Sequence, residues 1–168
     1  MSKSKAKGTR QETNICNVIN DFAGAKVAER VALHGNTDMG DIRIAVDDLV
    51  LTGESKYSKD YPSVGKIEEY KGQTTTENMN AGQDGGILFI NLPNRSIQRM
   101  ECHLQKSTLM RLHGIDRLIA DERIPEELRK RLERALMEDS EFDWVCITLW
   151  AFMNIAYGQP AWADRRGS

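Results

Sequence analysis

Four side chains within the first 56 residues have the types and the spacing that phosphodiester chemistry needs: Glu12, Asp41, Glu54 and Lys56. Glu54 and Lys56 stand two apart, so on a strand both leave the same face of a sheet. Asp41 opens the arm that precedes theirs. Glu12 comes three and seven residues before Ile15 and Ile19, on the helical stripe that would pack against such a sheet. Brought together, they offer three carboxylates and one ammonium. Hard oxygen donors of this kind hold one or two Mg²⁺ ions, with Mn²⁺ as a substitute; the ions polarise a phosphate and bind the attacking water. The ammonium orients that water or offsets charge growing on a phosphorane-like transition state. Carboxylates so crowded repel one another until a divalent ion joins them.

Each residue also has a plainer reading. Glu12 follows Thr9 by three, the spacing of a capping box. Asp41 after Gly40 could end a loop, and Glu54 with Lys56 could be an ion pair on a solvated strand. Taken singly, the plain readings are the stronger; the order and spacing of all four favour a site.

The elements that must position these residues follow from periodicity and turn chemistry. Residues 1–8 read as a flexible basic arm carrying Lys3, Lys5 and Lys7. A helix is expected from Arg10 to Ala23 and a short strand from Lys26 to Leu33, followed by a loop to Gly40. Asp41 to Tyr57 reads as a hairpin turning at Asp47-Asp48. A second helix is expected from Pro62 to about Asn80, weakened by Gly72 and the run Thr74-Thr75-Thr76. Gly86 to Leu92 reads as a buried strand and Ile97 to Leu104 as another. Helices are expected at 108–121, from Pro125 with Leu128, Leu132 and Leu136 on one stripe, and at 141–157 capped by Ser140. The organisation is an arm (1–8), an α/β core (9–106) and an all-helical extension (107–168).

Composition bounds the rest. The 168 residues carry 23 basic and 25 acidic side chains, a net charge of −2. Residues 1–110 balance at 14 and 14; the basic excess lies in the first ten residues, where Lys3, Lys5, Lys7 and Arg10 precede the first acid. Near-neutrality argues mildly against a nucleic-acid partner, but a carboxylate-rich metal site accounts for part of it, and charge distribution matters more than the sum. The longest apolar run, Trp144 to Tyr157, is too short to span a bilayer, and no signal peptide opens the chain, so the expected location is cytoplasmic. Three widely spaced cysteines fit a reducing compartment without a disulfide framework.

The positions of Glu12, Gly40-Asp41 and Glu54-Ser55-Lys56, with twelve residues between Asp41 and Glu54, resemble the signature of the PD-(D/E)XK nuclease superfamily. More specifically, Lys5 to Glu12 (KAKGTRQE), Ala28 to Ile42 (AERVALHGNTDMGDI) and Glu77 to Leu88 (ENMNAGQDGGIL) look like segments of small Holliday junction resolvases from actinobacterial phages, a likeness covering residues 5–105. The resemblance implies a restriction-endonuclease-like core, a mixed central sheet flanked by helices. It implies catalytic Glu12, Asp41, Glu54 and Lys56, with the three acids as metal ligands. It implies phosphate contacts from Lys3, Lys5, Lys7, Arg10, Arg30 and His34, and an accessory role for Gln73. The expected activity is a Mg²⁺-dependent endonuclease that cuts branched DNA by paired nicks as a homodimer, in the host cytoplasm if phage-encoded. The alternatives are a catalytically weak DNA-binding or assembly protein of this fold, or a restriction or nicking nuclease acting on duplex DNA. Phe142 to Tyr157, apolar nearly all round, must be buried, and a dimer interface is the expected place.

Overall fold

The hairpin that carries the acids forms where the alternation places it. In the computed structural model, which describes residues 3–32, 37–137 and 144–158, β2 (Ile42–Val46) buries Ile42, Ile44 and Val46 and exposes Arg43 and Ala45. Asp47 makes the turn in the left-handed region, φ 52°, which a short polar side chain tolerates. Strand β3 (Leu49–Tyr57) returns antiparallel, with Ile42 opposite Gly53 and Val46 opposite Leu49. A short strand, β1 (Ala28–Arg30), pairs with the outer edge of β2. Helix α2 (Val64–Ala81) crosses over from β3, so that β4 (Gly85–Asn91) runs parallel to it. Two further antiparallel strands, β5 (Glu101–Gln105) and β6 (Trp144–Thr148), complete a six-stranded mixed sheet in the order β1-β2-β3-β4-β5-β6.

The two faces of this sheet differ. One is apolar over most of its extent: Ile42, Ile44, Leu51, Ile87, Phe89 and Leu104 lie under α1 (Lys3–Ala23) and the C-terminal helices α5 (Glu126–Met137) and α6 (Leu149–Tyr157). The other is covered by α2 through a small cluster of Ile67, Leu88 and Ile90 with Tyr70 beside it. Strand β4, apolar on both faces, therefore reads as the unbroken run Ile-Leu-Phe-Ile. Thr52, Glu54 and Lys56 leave β3 on the α2 face, where the apolar cover is thin enough to leave room for polar side chains. Gly53 points the other way, and a Cβ there would stand 3.0 Å from the Phe89 ring and 3.1 Å from Ile42. The glycine thus admits the ring that fills the core.

Several expectations are corrected. Helix α1 begins at Lys3, running through Gly8 and Thr9, so residues 3–8 are helical rather than a flexible arm and no capping box forms. Thr13 Oγ1 instead donates to the Thr9 carbonyl at 2.9 Å, within the helix. Helix α2 starts after Ser63, whose hydroxyl accepts from the Lys66 amide. Thr74, Thr75 and Thr76 satisfy their hydroxyls on carbonyls one turn back, which lets the run persist as helix. The helix expected at 108–121 is two, α3 (Lys106–Met110) and α4 (Ile115–Ala120).

The extension is not all-helical. Trp144–Thr148 is a strand of the central sheet, and α6 begins only at Leu149, capped by Thr148 rather than by Ser140, which lies outside the described residues. Nor does α6 await a second subunit: Leu149, Phe152, Met153 and Ile155 are buried within their own chain, and Tyr157 donates to the Ala45 carbonyl at 2.8 Å. The expectation fails because Val145 and Ile147 alternate with Trp144, Cys146 and Thr148, a two-residue period concealed inside a continuous apolar run.

Candidate active site

Asp41 is fixed by the backbone on both sides. Its amide donates to the Gly53 carbonyl at 2.9 Å, its carbonyl accepts from Val31, and its carboxylate accepts from the Ser55 amide at 3.0 Å. The preceding residue must be glycine for two independent reasons. Gly40 has φ 83°, and a Cβ on it would sit 2.5 Å from Thr52 Cγ2 and 3.8 Å from Glu77 Oε2. The loop leading to it is pinned to α2, because Asn80 donates to the Asp38 carbonyl while the Asp38 carboxylate accepts from the Gly40 amide.

Glu54 and Lys56 share the α2 face of β3 as their spacing requires, and they form an ion pair. Glu54 is buried, Lys56 half-buried, its ammonium 5.4 Å from the centre of the Tyr70 ring. Burial alone would lower the Lys56 ammonium; the bond to Glu54 and the charges of Glu54, Glu77 and Asp41 outweigh it and hold the group above its ordinary value. Asp41 is pushed up to about 7, first by burial and then by the neighbouring Glu54 charge, with a smaller contribution from Glu12.

Glu77, from the last turns of α2, joins the group without having been anticipated. It is buried, its Oε2 has no hydrogen-bond partner, and its carboxyl is pushed up to about 9, first by burial and then by the adjoining Glu54 carboxylate. The sequence did hold a signal. Ile67, Thr74 and Glu77 are the buried residues of α2, a stripe at offsets of seven and ten from Ile67, and it carries an acid where an apolar residue is normal. Glu54, Lys56 and Glu77 line an open cleft of about 360 Å³ with Asp38, Thr76 and Gln73. Gln73 stands at the rim of this cleft, exposed.

Glu12 stands differently from the expectation. Its carboxylate is held by Arg30 Nε at 2.8 Å, and its charge reaches Asp41, but it does not line the cleft. The α1 side chain that hydrogen-bonds β3 beside the cleft residues is Gln11, buried, donating to Ser55 Oγ at 2.9 Å and to the Lys56 carbonyl at 3.4 Å. Arg30, expected on phosphate, is engaged with Glu12. Among the described residues, no three of these acids bring their oxygens within 4.8 Å of one another.

The donor set nevertheless suits a hard divalent ion: it consists of carboxylates alone, two of them held well above their usual range, one with a buried oxygen lacking any partner. Beside the strand end that bears Lys56 runs a groove of about 230 Å³ lined by Lys7, Arg10, Gln11, Tyr57 and Arg95. The Lys7 ammonium lies 3.8 Å from the Tyr57 ring centre. Lys3 and Lys5 belong to the first turn of α1, and His34 lies outside the described residues.

No protein-family model matches the chain, and no curated protein does. Among solved structures, the chain is similar to Archaeoglobus fulgidus Hjc, a Holliday junction resolvase from an archaeal hyperthermophile, at 19% identity over 95% of this chain and 100% of that one, with a TM-score of 0.38. Among the described residues, no helix is long and apolar enough to cross a membrane.

Proposed function

We propose that this chain is a metal-dependent endonuclease that hydrolyses DNA phosphodiesters, with branched DNA as its substrate and a homodimer as its working form. The observation that carries the reading is the convergence of Glu54, Glu77 and Lys56 on one cleft, with Asp41 beside Glu54 and with Asp41 and Glu77 each held above its usual range by burial and by the Glu54 charge. Asp41, Glu54 and Glu77 are the residues that would hold Mg²⁺, with Glu12 acting on Asp41 through its charge. When bound, the ion supplies Lewis-acid polarisation of the phosphate and lowers the pKa of a bound water.

The chain's own groups do the rest. Lys56, held protonated, places positive charge where the phosphate gains negative charge. Gln11 fixes the end of β3 by bonding the Ser55 hydroxyl and the Lys56 carbonyl, so the Lys56 side chain starts from a set position. Lys7, Arg10 and Arg95 offer the adjoining groove to the phosphates of the backbone. The likeness of residues 5–105 to phage resolvases supports branched DNA as the substrate, and paired nicks need paired, symmetric sites, which a two-fold dimer provides. One observation favours the rival, a DNA-binding module without strong catalysis: Glu54 is already occupied by Lys56, and the acids do not close into one ligand sphere.

The deciding experiment incubates the purified protein with a labelled four-way junction and a matched linear duplex, in Mg²⁺ or EDTA. Symmetric Mg²⁺-dependent nicks on the junction support the proposal. Cleavage of the duplex alone would replace the substrate, and binding without cleavage in Mg²⁺ or Mn²⁺ would establish the rival. Asp41→Asn, Glu54→Gln and Lys56→Ala should each lower cleavage by a factor on the order of 100 or more while junction binding persists.

A further inference from the structure

The α2 face of the sheet carries a second group of ligating side chains, two strands beyond the carboxylate cleft. Strands β5 and β6 pair so that His103 lies opposite Cys146, and Glu101, two residues before His103, shares its face. One ligand atom from each of Glu101, His103 and Cys146 lies within 4.8 Å of the other two. His103 Nε2 and Glu101 Oε2 are 3.1 Å apart, and the imidazole is buried. In the ladder Leu88 stands between Glu54 and His103, so the two groups are separated by roughly 10 Å and cannot share an ion.

We propose that Glu101, His103 and Cys146 form a zinc site that fastens β6 to β5. Thiolate, imidazole and carboxylate are the donors a borderline ion selects, and three protein ligands leave a fourth position open. In a tetrahedral zinc site with bonds of about 2.0–2.3 Å the donor atoms lie roughly 3.3–3.8 Å apart, so the group needs to close by about an ångström at its widest. Tyr61, whose hydroxyl stands 3.3 Å from Glu101 Oε2, borders the fourth position, which it or a water would fill.

The surrounding charge sorts one ion from another. Arg95 approaches the far oxygen of Glu101 at 3.6 Å, and Lys71 and Arg131 act on Cys146. These cations oppose a hard ion such as Mg²⁺, which relies on charge; they are tolerated by one bound through sulfur and nitrogen. Binding involves no redox change: the zinc–sulfur bond forms as the thiol proton leaves to solvent. The mechanical consequence follows from topology. Strand β6 is the last strand of the sheet, paired on one edge only, and it follows residues 138–143 directly. A tie through its middle residue fixes both its register and the start of α6.

The test is spectroscopic and independent of nuclease activity. EDTA-treated full-length protein is titrated with Co²⁺ in the absence of Mg²⁺. One equivalent is expected to give a thiolate-to-cobalt charge-transfer band in the near-ultraviolet together with visible bands of a four-coordinate site, displaced by Zn²⁺ and unaffected by excess Mg²⁺. Cys146→Ser should abolish the charge-transfer band. His103→Asn and Glu101→Gln should each weaken Co²⁺ binding by more than roughly 100-fold, since even outer-shell partners of a metal are worth about 10–100-fold. Glu54→Gln should leave the band intact while removing DNA cleavage, so failure of this site and failure of the nuclease reading are told apart. Absence of a thiolate band in the wild type, or a band that survives Cys146→Ser, would overturn the proposal. Circular dichroism guards the comparison, and if Cys146→Ser does not fold, loss of the band in folded His103→Asn supports the site while its full retention there overturns it.

Discussion

Replacing Glu77 by Gln should stabilise the metal-free protein, and the gain should grow with pH. The carboxyl is buried beside Glu54, and its folded-state pKa of about 9 stands above the ordinary value of 4.5. For an acid raised on folding, the favourable contribution is complete below the unfolded value and is lost as pH climbs towards the folded one, because the unfolded chain ionises first. Within that window each pH unit costs about 1.4 kcal/mol, so between about pH 5 and about pH 7 Glu77 takes away up to about 3 kcal/mol. A Gln amide has similar shape, carries no charge, and can donate to Glu54 as the protonated acid does. Urea unfolding in EDTA at several pH values measures this: wild-type stability should fall from about pH 5 to about pH 8, the decline in Glu77→Gln should be shallower, and the two curves should converge near about pH 4.5. Asp41, raised to about 7, leaves a residual slope below that pH in both proteins. Addition of Mg²⁺ should reverse the order, since an ion held at 100 times its Kd adds about 2.7 kcal/mol and the variant lacks one of its ligands. Parallel pH curves for the two proteins in EDTA would refute the reasoning.

Gly40→Ala combines a left-handed backbone with a 2.5 Å contact to Thr52. It should cost about 1–3 kcal/mol in thermal unfolding and depress cleavage by displacing Asp41. Glu12→Gln breaks a partly exposed pair with Arg30, so stability should change by only about 0.2–1 kcal/mol. Junction cleavage should fall if the Glu12 charge serves the metal ligands, and an unchanged rate would reduce Glu12 to holding Arg30. Phe152→Ala should lose about 3–5 kcal/mol in chemical denaturation, because the ring is fully buried in its own chain. Light scattering on that variant should show no change of oligomeric state at low denaturant; dissociation of a dimer would place α6 at an interface instead.

Local rules were enough wherever neighbours in sequence are also neighbours in space. The β2–β3 hairpin follows from alternation and an Asp-Asp turn, β4 from a short apolar run, and α5 from the stripe through Leu132. The same locality made Asp41, Glu54 and Lys56 legible, since one hairpin brings them to one end of the sheet. Long-range packing decided the remainder. Whether α1 presents Glu12 or Gln11 to β3 depends on the rotation of a helix docked 44 residues away in sequence. The buried stripe of α2 marks Glu77 as inward-facing, but only the β3–α2–β4 crossover, which lays the last turns of α2 over Glu54, makes it part of the site. Trp144–Thr148 is a strand because β5 offers an open edge to pair with, so the alternation of Val145 and Ile147 prevails over the helical reading of the run. Propensity sets what a segment can become; an available partner settles which form it takes.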